Sequence, residues 1–407
     1  DRDDLPAVLT LSVSPTLAGM LRDELLQQRF TAYVQQRIDL ATHEVRRYES
    51  SGETIRLELA HFYRQRYEWV REIWSRIGQD WLAAVVEHAR KGRVELITTA
   101  ATHALAPLLA GQPEWLRVQT DLGRRAFGVE TGVSPVGYWL PECAWVELVD
   151  ENLLASGLGY TILDSHALIY ADTCPPHGVF APVQSPRGLA LFARDPITAR
   201  QIWSRDQGYP GDPLYREFFR DLADERSTNE LGSAGHPDGV RIPTGLKYHR
   251  VTDRSKPKEL KELYDPAAAD LRVREHAHRF VHSLHGRITR LADLLPRQPI
   301  VTAPYDAELF GHWWLEGPRF LDHVARLIAA DPDLELSTPG AVLAAAPPTD
   351  VVRPTPSTWG MHGYAHTWLN EGNDWIQPAL ATAGRDLLHA LQQNDAQPNL
   401  TRRRALA

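Results

Sequence analysis

Val136-Gly137-Tyr138-Trp139-Leu140-Pro141-Glu142 is the stretch on which the reading of this chain turns. Its unbroken apolar run is too short for a helix, and a proline closes it. A short continuous run of this kind reads as a strand covered on both faces, as in a parallel sheet. An acid, Glu142, stands directly past its C-terminal end. The same grammar recurs in both directions. Residues 7–12, 94–99, 160–163, 189–193, 299–303 and 334–337 also read as strands, with helical stretches between them. Alternation of this type predicts the α/β class, a parallel sheet with crossover helices. The chain has 407 residues, within the range of a single α/β barrel.

From Pro15 to about Arg90 the apolar residues recur three and four apart: Leu17, Met20, Leu21 and Leu25, then Trp69, Ile73 and Trp74, then Trp81, Leu82 and Val85. That spacing predicts helices. Residues 228–238 are rich in Gly, Ser, Asn and Asp and read as a long loop over the barrel face or a disordered insertion. Residues 345–356 carry Pro347, Pro348, Pro354 and Pro356 and read as a linker. Residues 378–393 read as the first helix of a further unit, with Pro378 suited to its start. The expected division is a catalytic barrel with helical insertions over 1–344, the Pro-rich linker 345–356, and the beginning of a helical C-terminal domain over 357–407.

Composition narrows the function. The net charge of −8 argues against a nucleic-acid partner, which calls for a basic footprint. A neutral polysaccharide is compatible with it. No run of about 18 apolar residues predicts a membrane span. No charged-then-apolar leader is visible, and the chain begins at Asp1. Two cysteines, Cys143 and Cys174, are too few for a disulfide framework, and a reducing, cytoplasmic setting is expected.

Parallel barrels gather their sites at the C-terminal ends of strands. Here those ends carry His103, Glu142, Asp164 with His166, Arg194 with Asp195, and Asp306. Glu142 and Asp306 each follow a proline-containing turn and sit among aromatics. Two readings of the pair stand on position alone. They are helix-capping or solvated loop acids, or the two carboxyl groups of a retaining glycosidase, which lie about 5–5.5 Å apart.

Longer motifs surround both acids. Gly137-Tyr138-Trp139-Leu140-Pro141-Glu142-Cys143-Ala144 resembles the nucleophile motif of glycoside hydrolase family 57. Thr302-Ala303-Pro304-Tyr305-Asp306-Ala307-Glu308-Leu309-Phe310-Gly311-His312-Trp313-Trp314 resembles its acid/base motif, in the form found in the family's 1,4-α-glucan branching enzymes. Ala101-Thr102-His103 is similar to a motif with an active-site histidine, and residues 357–370 to the last motif. Residues 208–213 and 244–248 also resemble branching-enzyme segments. The resemblance runs from about Val8 to Pro378. It implies an incomplete (β/α)7 barrel followed by a helical domain, with Glu142 as nucleophile and Asp306 as acid/base. His103, Asp164, His166, His312, Trp313, Trp314, Trp359 and Trp368 would line subsites for an α-1,4-glucan, glycogen-like or amylose-like. It implies no metal and no organic cofactor. The implied activity is glucan branching; α-amylase or 4-α-glucanotransferase activity with the same pair, or glucan binding without catalysis, are the alternatives. The family's first motif, a histidine-bearing strand end, does not occur in the chain as it stands, nor does most of the C-terminal helical domain. Met361-His362 depart from the last motif.

Other residues draw plainer readings. His278, His282 and His285 share one helical face, most simply a solvated or partly packed one. His362 and His366 suit a subsite or packing role. Cys143 reads as a small buried filler, Glu308 as a hydrogen-bonded structural acid, and Arg402-Arg403-Arg404 as a solvated tail. Trp313 and Trp314 point in different directions, which suggests one in the core and one facing sugar.

Overall fold

The computed structural model describes residues 6–204, 207–236 and 238–393. The chain opens with β1 (Leu9–Ser12) and the helices α1 (Pro15–Arg22), α2 (Glu24–Ser51), α3 (Thr54–Arg76) and α4 (Trp81–Arg90). Then come β2 (Val94–Thr99), α5 (Pro113–Thr131), β3 (Gly137–Trp139), α6 (Leu148–Ala155), β4 (Tyr160–Leu163), α7 (Ser165–Ile169), β5 (Val183–Gln184), β6 (Ala190–Ala193) and α8 (Pro196–Trp203). The remaining helices are α9 (Thr228–Leu231), α10 (Pro266–Leu294), α11 (Gly317–Ala329), α12 (Pro339–Ala345) and α13 (Ile376–Gln393). Ser14, Asp195, Asp265 and Thr338 each precede a proline and cap α1, α8, α10 and α12 with their side chains. The fixed φ of a proline in the first turn and a side-chain acceptor before it make these starts.

The sheet runs β1-β2-β3-β4-β6-β5, parallel throughout except for β5. Thr302 extends it by a parallel bridge to Arg194, with Asp195 N–H donating to Thr302 O at 2.8 Å. The strand expected at 299–303 is therefore a single bridge. The one expected at 334–337 forms no ladder; Leu334 and Leu336 pack instead against the helical core. Both faces of the sheet are covered, as a parallel sheet requires. Outside, Leu96 packs with Leu82, Val86 and Phe127, and Tyr138, Leu163 and Leu191 pack with residues of α5, α6 and α7. On the inner face, Ile97, Tyr160, Ile162 and Phe192 meet Val342 and Leu343 of α12. That helix is pinned to the start of β2, where Gly340 N–H donates to Glu95 Oε2 at 3.0 Å and Tyr160 O–H to Glu95 Oε1 at 2.7 Å. An open, incomplete (β/α) barrel results, plugged at its N-terminal end and free at the other. A second core is built by α2, α3, α10 and α11 around Tyr48, Tyr63, Tyr248 and Phe320.

Residues 345–356, expected as a linker, form a packed strap. Gln184 N–H donates to Asp350 O at 2.8 Å, Val352 N–H to Gln184 O at 2.9 Å, and Val352 is buried in the outer core. Prolines spaced around 350–352 leave those backbone groups free to pair. Residues 228–238, expected as a loop or a disordered insertion, hold a short helix, α9, closed by a Ser227/Glu230 capping box. Arg402-Arg403-Arg404 lie outside the described residues. Among the described residues no helix is long and apolar enough to cross a membrane.

Gly123 sets how closely α5 can approach the end of β2. A Cβ there would lie 2.3 Å from Thr99 O and 3.0 Å from Ala101 N. Alanine gains about 1 kcal/mol of helix propensity over glycine, but a clash against backbone costs about 1–3 kcal/mol because nothing there can rotate away. Gly123→Ala is expected to lower stability by up to about 2 kcal/mol net, read as a lower denaturant midpoint.

Candidate active site

The free end of the barrel collects the side chains that follow each strand. Glu142 lies in the one-turn helix Pro141–Cys143, in the left-handed region at φ 61°, ψ 23°. Cys143 (φ 50°), His103 (φ 57°) and His362 (φ 63°) share that conformation. Each such non-glycine residue costs about 1–3 kcal/mol and persists only where its surroundings over-determine it. Two bonds hold Glu142. Trp359 N–H donates to its carbonyl at 2.9 Å, and Trp359 Nε1 donates to its Oε2 at 2.6 Å. Behind them Trp145 and Ser357 exchange backbone hydrogen bonds at 2.8 and 3.3 Å. Cys143 is fully buried, and burial pushes its thiol well up, so it is a filler and no nucleophile.

Asp306 precedes the short helical turn Ala307–Leu309, but its carboxyl caps nothing. The capping alternative for this acid is therefore set aside. Burial pushes its pKa up to about 6, the charges of Glu308 and then Glu142 add to the rise, and Arg194 opposes it. Glu308 is exposed beside it, and among the described residues its carboxylate makes no hydrogen bond. The expectation of a hydrogen-bonded structural acid is corrected to a charge facing Asp306. His103 opens to the cleft; surrounding protein lowers its pKa, while Glu142 and Glu308 pull it back up.

Asp164 and His166 form one unit with Arg194. Asp164 Oδ1 faces His166 Nδ1 at 2.9 Å, and Asp164 Oδ2 accepts from Arg194 Nη1 at 3.2 Å. His166 Nε2 faces Gly363 O at 2.8 Å. Burial alone would raise the Asp164 pKa, but the His166 hydrogen bond and the Arg194 charge outweigh it and hold it low. With acceptors on both sides, His166 makes both bonds only with both nitrogens protonated. Its bond to Asp164 accordingly raises its pKa against burial. The Arg194 guanidinium also lies over Trp359, 5.1 Å from the ring centroid. Arg194 thus couples Asp164 to the indole that binds Glu142. In the sequence it shows only as a basic residue past a strand, with no signal of this role.

Trp314 is a correction. It is 1% exposed and packs against Tyr215, Phe310 and Phe320 in the helical core, so it lines no subsite. Trp313 and His312 are exposed. Trp368 is half-buried with its ring against Gly360, where a Cβ would meet it at 2.6 Å. His362 and His366 are exposed with rings 6.0 Å apart. Asp195 serves structure, capping α8 and taking a bidentate pair from Arg287 at 2.9 and 3.0 Å. His278 and His282 lie exposed on α10, while His285 pairs with Asp331 at 2.7 Å.

Comparison with known proteins follows this geometry. A family model described as glycosyl hydrolase family 57 matches residues 21–353. A 1,4-alpha-glucan branching enzyme of Thermococcus kodakarensis is 29% identical over 97% of this chain and 59% of its own length. A probable 1,4-alpha-glucan branching enzyme of Mycobacterium tuberculosis is 30% identical over 74% of this chain and 50% of its own. The chain thus spans little more than half of these relatives. Among solved structures, the alpha-amylase AmyC of Thermotoga maritima superposes with a TM-score of 0.90 at 34% identity, covering 97% of this chain and 75% of that one. A family 57 branching enzyme of Pyrococcus horikoshii superposes at 0.83 with 28% identity, covering 98% and 72%.

The raised pKa of His166 fixes a pH window. Its contribution to stability is full below the unfolded value of about 6.5 and is lost as pH rises through the higher folded value. By proton NMR, with the signal assigned through His166→Gln, the wild-type ring should titrate above 6.5. In Asp164→Asn it should titrate lower.

Proposed function

The chain belongs to glycosyl hydrolase family 57, and on that premise we propose that it acts on α-1,4-glucans by retaining double displacement, as a 1,4-α-glucan branching enzyme. Glu142 attacks the anomeric carbon and forms a glycosyl ester. Asp306 gives its proton to the departing glycosidic oxygen. The ionised Asp306 then takes the proton of an acceptor 6-hydroxyl, which attacks the ester, frees Glu142 and forms the α-1,6 bond.

One observation carries this reading: an acid with its pKa pushed up to about 6 faces an acid whose charge helps to push it. A free aspartate, titrating near about 3.9, is almost wholly ionised near neutral pH and makes a poor proton donor. At about 6 Asp306 keeps a useful protonated fraction. When Glu142 is esterified its charge disappears, so the Asp306 pKa falls and the acid becomes the base the second step needs. The Trp359 indole fixes which Glu142 oxygen is held and leaves the other to attack. His103, Asp164, His166, His312, Trp313, Trp359 and Trp368 are the residues proposed to line the glucan. The relatives named as branching enzymes support the choice of 6-hydroxyl acceptor. The close superposition on an amylase supports hydrolysis as the second reading. Incubation with amylose separates the two: branching gives new α-1,6 anomeric signals in proton NMR, hydrolysis gives new reducing ends alone.

Glu142→Gln is expected to abolish both products, since an amide cannot form the glycosyl ester. Retention of more than about a tenth of the activity, with contamination excluded, overturns the assignment. The pH profile should lose activity as pH rises through about 6, where Asp306 deprotonates. Glu308→Gln removes the largest charge raising that pKa, so it should move this loss of activity to lower pH.

A further inference from the structure

We propose that Trp313 is a stacking platform for a glucose ring of the acceptor glucan, held in its plane from behind by Phe218 and Lys247. The proposal rests on the reading of Asp306 as the acid/base. Trp313 is 45% exposed, a large apolar ring left in water on the loop that follows the acid. Its orientation is nonetheless fixed. Phe218 stacks on it with centroids 4.0 Å apart and an interplanar angle of 24°. Lys247 Nζ lies 4.0 Å from the same Phe218 centroid. The indole covers one face of that phenyl ring, so the ammonium must lie over the other. Lys247 Nζ also donates to Phe218 O, and His312 meets both aromatic rings edge-on. The three layers are thus Lys247, Phe218 and Trp313, and the last presents its outer face to solvent.

Both ends of this stack are anchored. The Lys247 carbonyl accepts from Tyr63 O–H at 2.7 Å. Three residues earlier, Thr244 N–H and Oγ1 and Gly245 N–H converge on the buried carboxylate of Asp221. At the other end, Trp313 N–H donates to Glu308 O at 3.2 Å, which ties the platform to the turn that carries Asp306. Among the described residues Trp313 Nε1 has no hydrogen-bond partner, so it is available to a sugar hydroxyl. A flat apolar face with one donor at its rim suits the C–H face of a glucopyranose. The side of the cleft follows from the chemistry. The acid delivers its proton to the leaving oxygen, so a platform on its loop serves the leaving chain and then the acceptor that replaces it. An acceptor held there competes with water for the glycosyl ester. Phe218 and Lys247 do not touch the sugar; they are positioning residues.

Maltoheptaose is the probe. In a Glu142→Gln background, which binds without turnover, calorimetry should show Trp313→Ala weakening affinity roughly three- to tenfold. Phe218→Ala should weaken it by a smaller factor, and Phe218→Tyr, which keeps the stack, should restore it. Trp69→Ala, removing an indole 53% exposed on α3, should change nothing. In the active protein Trp313→Ala should raise the acceptor KM by the same factor, lower kcat far less, and shift products from transfer toward hydrolysis. Unchanged maltoheptaose affinity in Trp313→Ala with a native circular dichroism spectrum overturns the platform, as does an equal loss in Trp69→Ala. If the wild type shows no turnover at all, the glycosidase reading fails. The acceptor role then fails with it, and the calorimetric comparison tests glucan stacking on Trp313 by itself.

Discussion

A backbone exchange between Trp145 and Ser357 is the constraint on which the site depends. It brings a segment more than two hundred residues downstream onto the loop that follows β3. Two residues past Ser357, the Trp359 backbone and indole then bind the carbonyl and carboxylate of Glu142. Without that exchange nothing would hold Glu142 at φ 61°. The conformation is unfavourable for a residue with a Cβ, and its relaxation to the right-handed region would carry the carboxylate away from the cleft. The same segment reaches the other side of the site through Gly363, whose φ of 79° brings its carbonyl to His166. A side chain at 363 would lie 3.0 Å from the His166 ring. Glycine there answers both a backbone and a packing demand.

Charge in the cleft is arranged around Arg194. Asp306 lies within electrostatic reach of Glu142, Glu308 and Arg194, and Arg194 also pairs with Asp164. Arg194 spends its direct contact on Asp164 and its face on Trp359, and reaches Asp306 only at longer range. Asp164 is therefore kept ionised while Asp306 is allowed to hold its proton. Burial raises both carboxyls and Arg194 lowers both, but the direct contact leaves Asp164 below its ordinary value and Asp306 above it, so an ionised carboxylate shares the site with one that can hold a proton.

The sheet was legible because its strands are covered on both faces, so that β3 and β6 appear as continuous apolar runs and β2 and β4 as mostly apolar ones. The carboxyl pair was legible for the same reason: each acid stands where such a run, or the bridge at Thr302, ends. Other features left no trace. A two-residue antiparallel strand at 183–184 is too short for periodicity to register. Leu334 and Leu336 alternate as a strand would, yet the apolar face they pack on belongs to helices. Prolines at 347, 348, 354 and 356 read as a linker because composition carries no record of which N–H groups between them find partners. The left-handed backbone at Glu142 is invisible for the opposite reason, since glutamate has no preference for it and only distant contacts impose it.

Trp313 and Trp314 show how far local geometry can divide two identical neighbours. Trp314 N–H donates to Leu309 O while Trp313 N–H donates to Glu308 O, so successive turns of one loop aim successive indoles at opposite sides. Trp314 meets Tyr215 and Phe320 in the helical core, where burying an aromatic side chain is worth roughly 1.5–3 kcal/mol. That contact anchors the loop. Trp313 makes its neighbour's bargain in reverse: it leaves nearly half its surface in water, and its single stacked partner cannot recover all of that loss. Pairs of aromatics beyond area burial contribute about 0.5–1.5 kcal/mol, less than full burial would. A loop that secures itself with one tryptophan and holds the other open in a fixed plane has its stability assigned to Trp314. The exposed face of Trp313 is left to be filled by something that arrives from solution.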